Sequence, residues 1–161
     1  MLHPLMVAAI IDHIPIEGLA VQAYRDIANR AADAGYMGFA KWGAGESAEE
    51  YTHYVKFQDY LTARGAAVVL QDVAAPGNVG DTPLAWSLAA LGLEEDVKAR
   101  IDRLYGLALQ QAEFDVCRFL GPFLETQTES IDKLQVLVAQ LTLAGSDIGA
   151  VQAIDRELGE D

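Results

Sequence analysis

Apolar side chains recur along the chain with the 3.6-residue period of helices that bury one face. The first stripe holds Leu19, Ala20, Ala23, Tyr24, Ile27 and Ala31 and stops at Asp33, Ala34 and Gly35, where the glycine suits a helix end. A second, with Phe39, Trp42, Phe57, Tyr60 and Leu61, ends at Arg64 and Gly65. A third carries Leu84, Leu88, Leu91, Val97, Ile101 and Leu104, and a fourth Phe119, Leu120, Phe123, Ile131, Leu134, Val138 and Leu141. After Gly145, the Ser146, Asp147 pair can cap a short fifth element with Ile148, Val151, Ile154 and Leu158 on one face. The pattern predicts helices over about 5–34, 39–64, 84–111, 115–143 and 147–158. Between them, 66–83 loses the period: it holds Pro76, Gly77, Asn78, Gly80, Asp81 and Pro83 as turn formers and a β-like run of Val68, Val69 and Leu70.

Loop lengths turn these elements into a topology. Short turns after the first and third helices make two antiparallel hairpins, whereas the 66–83 connection, at about 3.3 Å per residue, spans roughly 60 Å. A helix of about 24 residues is only about 36 Å long, so the connection can run the whole length of a bundle and leave the second and third helices parallel. The expectation is an all-α single domain over 1–161: a four-helix bundle with one long crossover and a short fifth C-terminal helix.

Each long stripe is interrupted by a polar residue that helical spacing turns inward. Glu17 lies seven before Tyr24; Glu50 and His53 fall between Trp42 and Phe57; Glu94 follows Leu91 by three and precedes Ile101 by seven; Gln127 lies four from both Phe123 and Ile131. The midpoint between Glu17 and the Glu50, His53 pair falls at Asp33 to Gly35, and that between Glu94 and Gln127 at Gln110 to Gln111. Residues equidistant from a hairpin turn lie at equal depth, so all five converge on one level. Three carboxylates, an imidazole and an amide in an apolar interior cost several kcal/mol unless cations neutralise them. The Glu50-x-x-His53 spacing puts two donors on one helix face, and a carboxylate can bridge two ions about 3.5–4 Å apart. Oxygen-rich ligands with one histidine favour hard first-row ions, iron being the redox-active candidate, although zinc could occupy the same donors. Glu17 and His53 would hold one iron, Glu50 would bridge, and Glu94 with Gln127 would hold a second, weaker one. His3 and His13 lie near the start of the chain, which leaves His53 as the only histidine expected inside.

Composition narrows the partners. The formal charge is -13, from 24 acidic and 11 basic residues, which argues against nucleic acid and makes a cationic ligand the natural counterpart, or else serves solubility alone. A single cysteine, Cys117, excludes an intramolecular disulfide and any cysteine-rich metal site, and fits a reducing compartment. The apolar run from Leu5 to Ile11 is far shorter than a membrane span and has no basic region before it, so a cytoplasmic protein with no membrane partner is expected.

With Glu17, Tyr24, the Ala48-Glu49-Glu50-Tyr51-Thr52-His53 run, Glu94 and Gln127 in view, the chain resembles the non-haem ferritins of prokaryotes, within the ferritin-like di-iron family. Asp59-Tyr60-Leu61 before Arg64-Gly65, Phe119-Leu120 ahead of Gln127, and the fifth helix extend the likeness over nearly the whole chain. The resemblance implies a ferroxidase centre within each subunit with two irons, Fe(II) oxidised by O2 or H2O2, and ferric mineral stored in a homo-oligomeric shell of about 24 subunits. It makes Tyr24 the tyrosine beside the centre, an electron donor during oxidation, where the residue pattern alone reads an inward core aromatic. Glu49 and Glu129 match positions that in some prokaryotic ferritins bind a third iron or pass iron onward; as neighbours of the inward positions they read equally as solvated charges. Thr126 and Ser130 stand where relatives carry further acids, so the likeness does not carry a full third site. No haem is expected, because Tyr51 and Thr52 lie between Glu50 and His53 with no methionine, and Gln127-x-x-Ser130 replaces a second Glu-x-x-His. Two other readings remain: a non-storage di-iron oxidase or peroxide scavenger, and a structural shell subunit with a weakened site. Pro15 and Pro122 fall within predicted helices and each removes a backbone hydrogen bond near the site.

Overall fold

The computed structural model describes residues 2–160 and contains five helices: α1 (Pro4–Asp33), α2 (Met37–Thr62), α3 (Pro83–Gln110), α4 (Phe114–Ala144) and α5 (Ile148–Glu160). Both hairpin turns are closed by the same device. At the end of α1, Gly35 takes φ +85°, and Tyr36 N–H and Gly35 N–H donate back to the carbonyls of Ala31 and Ala32. At the end of α3, Ala112 takes φ 56° while Glu113 N–H and Ala112 N–H reach Ala108 and Leu109. These are paired backbone bonds that satisfy the last helical carbonyls and reverse the chain. Pro15 and Pro122 leave α1 and α4 unbroken.

The core is in two parts. One cluster packs Met6, Ile10 and Ile14 of α1 with Phe57 and Leu61, Val97 to Ala108, and Val116 to Phe123. The other packs Tyr24, Ile27 and Ala31 with Phe39, Val79, Trp86, Ala90, Leu134, Leu137 and Leu141. The connection between α2 and α3 runs from one to the other: Ala66 and Val68 pack on the first cluster, Val73 lies against Gly18 halfway along α1, and Val79 is buried in the second. The crossover therefore traverses the bundle, and α2 and α3 run parallel. Val68, Val69 and Leu70 form no strand ladder among the described residues; Val69 and Leu70 are exposed.

Two stripes differ from expectation. In the first half of α3 the fully buried face is Pro83, Trp86, Ser87 and Ala90; Leu84 and Leu91 are half-buried against the second cluster, and Leu88 is exposed. Trp86 is the largest side chain that α3 sends into that end of the core, where it packs against Phe39, and its indole N–H donates to Gly80 O at 3.0 Å. In α4, Leu137 rather than Val138 faces inward.

α5 docks on the start of α2, where the cap residue Tyr36 offers no side-chain acceptor. Asp155 Oδ1 accepts from Phe39 N–H at 2.8 Å and supplies the missing cap from another helix. A methyl group on Gly38 would lie 1.6 Å from Asp155 O, so only glycine admits this approach. By length and composition α1 could cross a membrane, with a window of mean hydropathy 1.5. Its apolar face is instead the bundle core, and Glu17 sits in the middle of it.

Candidate metal centre

A polar layer separates the two apolar clusters, and each long helix contributes to it. Glu17, Glu50, His53, Glu94 and Gln127 are all buried, none more than 5% exposed. On α1, Glu17 lies between Ile14 and Tyr24; on α2, Glu50 and His53 lie between Phe39 and Phe57. On α3 and α4, Glu94 and Gln127 each fall where one cluster gives way to the other. All five are thus buried in the stretches that join the two clusters.

Glu17, Glu50 and His53 present ligand atoms that all lie within 4.8 Å of one another. His53 Nδ1 sits 3.3 Å from Glu50 Oε2, and its ring packs edge-on against Phe123 with centroids 5.2 Å apart. Across the layer the Tyr24 hydroxyl donates a short hydrogen bond to Glu94 Oε1. Tyr24 is itself held edge-to-face against Trp42, with centroids 5.6 Å apart. Glu17 Oε2 and Glu94 Oε2 are buried without any partner.

The electrostatics describe a cluster that lacks positive charge. Burial, then the facing carboxylates of Glu17 and Glu94, push Glu50 up to about 11. Burial also lifts Glu94 to about 7 against the opposing hydrogen bond from Tyr24. Tyr24 is held well above its ordinary value by burial and then by Glu94, and burial lowers His53 despite the nearby Glu17 carboxylate. Burial thus disfavours the charged forms of Glu50 and Glu94. Orphaned oxygens and suppressed ionisation together are what oxygen-rich donors show when a cation belongs between them.

One histidine is not where the chain pattern puts it. His13 is buried at 3% exposure, its Nε2 lies 2.6 Å from Glu17 Oε1, and its ring packs on Phe57 with centroids 4.7 Å apart. His53 is thus not the only interior histidine. The signal was present: His13 lies four before Glu17 and continues a Met6, Ile10, His13, Glu17 stripe, but its nearness to the chain start hid that it stands well inside a helix beginning at Pro4.

Glu49 and Glu129 are exposed and line a cleft of about 1150 Å³ bounded by α2, α4 and α5, together with Glu46, Thr126, Ser130 and Lys133. Glu46 is half-buried there, and burial followed by Glu49 raises its pKa.

The family profile of the ferritin-like domain matches residues 7–144. The chain belongs to the ferritin family. Among its relatives, the bacterial non-heme ferritin of Staphylococcus aureus (strain USA300) is 29% identical over 159 residues, covering 99% of this chain and 96% of that protein. That of Staphylococcus epidermidis is 28% identical over 158 residues, covering 98% and 95%. Among solved structures, the open pore ferritin of the hyperthermophilic archaeon Archaeoglobus fulgidus superposes with a TM-score of 0.95 at 29% identity, over 100% of this chain and 99% of that one. The fifth helix and the crossover of this ferritin fall within that superposition, so the likeness extends beyond the four-helix core.

Proposed function

We propose that this ferritin takes ferrous iron as substrate into the buried polar layer, oxidises it there and stores the ferric product as mineral inside a shell of its own subunits. The observation that carries the reading is the convergence of Glu17, Glu50 and His53 within 4.8 Å at the same depth as Glu94, with two carboxylate oxygens left buried and unpartnered. Glu17 and His53 hold the first iron, Glu50 lies between the two, and Glu94 with Gln127 holds the second. Hard oxygen donors with one imidazole suit ferrous iron. A pair of irons side by side delivers two electrons to O2 or H2O2. Tyr24, fixed against Glu94, is the residue of this chain placed to lend a further electron. Glu49 and Glu129, at the cleft outside the layer, are the candidate residues for a third site or for passing iron toward the cavity.

Large apolar side chains stand on outer helix faces, among them Leu88 and Leu109 on α3 and Phe114 and Leu143 on α4, and contacts between subunits would cover them. That supports a homo-oligomer; kinship with the ferritins supports about 24 subunits and work in the cytoplasm. An interior histidine at position 13 does not restore a second Glu-x-x-His motif, so it gives a non-storage oxidase no added support.

Anaerobic addition of Fe(II) followed by O2 tests the proposal. Two irons bound per subunit and a fast ferric absorbance are expected. Fewer than two, with an intact shell, would make this a structural subunit with a weakened site. Light scattering tests storage: a stable dimer in place of a particle of about 24 subunits would favour the non-storage oxidase or peroxide scavenger.

A further inference from the structure

The ligand set proposed above leaves one buried polar side chain without a task. His13 sits one helical turn before Glu17 on the same face of α1, and its Nε2 lies 2.6 Å from Glu17 Oε1. The ring is 3% exposed and is pinned by Phe57 at an interplanar angle of 64°. Its Nδ1 is buried without a partner, as is the other oxygen of the same carboxylate, Glu17 Oε2. His13 is also not a member of the cluster in which Glu17, Glu50 and His53 bring ligand atoms within 4.8 Å.

We propose that His13 is a positioning residue for the first metal: it donates through Nε2 to Glu17 Oε1 and so reserves Oε2 for the cation. A ligating carboxylate only accepts hydrogen bonds, so the nitrogen 2.6 Å away must be the donor, a role either the neutral ring or the imidazolium can fill. Because both residues rise from one rigid helix and Phe57 fixes the ring, the carboxylate plane is set before metal arrives. Glu17 then binds through one oxygen, leaving the bridging role to Glu50. Outer partners of metal ligands are typically worth about 10- to 100-fold in metal affinity.

This inference rests on the metal-centre reading, and the test separates the two. Anaerobic Co(II) is titrated into the metal-free full-length assembly, followed by calorimetry and by the visible spectrum of the bound ion, for the unaltered protein, His13→Leu and His13→Gln. Gln places an amide N–H near the position of Nε2. His13→Leu should weaken the first equivalent by about 10- to 100-fold and alter its spectrum, and His13→Gln should restore most of the affinity. First-site binding unchanged in His13→Leu would overturn the inference while leaving the metal centre standing. So would equal losses in both variants. No Co(II) binding by the unaltered protein would reject the metal centre and this role with it. Should His13→Leu fail to assemble, a Co(II)-soaked structure of the unaltered protein decides. Metal on Glu17 Oε2 with Oε1 still on His13 supports the role, whereas a His13 nitrogen on the metal, or both Glu17 oxygens on it, overturns it.

Discussion

The two halves of the polar layer are built differently. The α1–α2 half is self-sufficient: one hairpin supplies Glu17, Glu50 and His53 with ligand atoms within 4.8 Å, and the same hairpin supplies His13 behind Glu17. The α3–α4 half offers Glu94 and Gln127 only, and the partner that steadies Glu94 is Tyr24, which reaches across from α1. A half assembled within one hairpin forms its site when that hairpin forms. A half that depends on a neighbour needs the whole bundle docked. Metal affinity should therefore be unequal, with the α1–α2 side the tighter.

The largest break in this comparison comes at Glu50, which belongs to both halves. Glu50→Gln should abolish paired binding and slow ferrous oxidation by more than the 10- to 100-fold typical of an outer partner, as stopped-flow absorbance would register. The same substitution should raise the melting temperature of the metal-free protein, by about 2–4 °C for each kcal/mol relieved, because it removes a carboxylate that burial and two neighbours disfavour. A stability loss would show that Glu50 is satisfied in some other way.

Next in size are substitutions confined to one half. His53→Ala should eliminate the tight equivalent in an anaerobic Fe(II) titration, whereas Glu94→Gln should leave that equivalent within a few-fold and weaken only the second. Equal effects on both equivalents would erase the distinction between the halves. Tyr24→Phe should act more gently. It leaves Glu94 Oε1 without its donor and should shift the second equivalent by about tenfold, the first not at all.

The smallest effect is a slope with pH. Glu94, at about 7 in the fold, lies above the ordinary value of 4.5, so the folded protein holds that proton more tightly than the unfolded chain does. The stability this contributes is full below the unfolded value and is lost as pH rises through about 7. Metal-free protein should melt at a lower temperature at pH 8 than at pH 5, and Glu94→Gln should reduce that slope without removing it, because Glu50, pushed up to about 11, contributes in the same direction. Saturating Zn(II) should reverse it, since metal displaces the protons. Differential scanning fluorimetry at the two pH values gives the comparison directly.

Much of this was legible in the chain because two simple geometric rules apply to it. Helical period marks the inward face, and distance from a hairpin turn marks depth; the first rule turns Glu17, Glu50, His53, Glu94 and Gln127 inward, and the structure buries all five. The long crossover follows from loop length alone. What was not legible is where size or sequence position misleads. The Leu84, Leu88, Leu91 stripe outweighs Trp86 and Ala90 in any count of hydrophobicity, yet Trp86 and Ala90 are the fully buried pair, Leu84 and Leu91 pack only at the core's edge, and Leu88 is exposed. His13 lies near the chain start, yet α1 is already about two and a half turns long there. The docking of α5 through Asp155 and Gly38 depends on two helices far apart in sequence, and no local pattern encodes it.

The measurement that tests the asymmetric centre most directly is a crystal structure of the protein soaked anaerobically with limiting and then excess Fe(II). At limiting metal, one ion should lie among Glu17, Glu50 and His53; at excess, a second should fill in beside Glu94 and Gln127 with Glu50 between the two. Equal filling at both concentrations, a first ion on the Glu94 side, or no ion in the layer at all would contradict it.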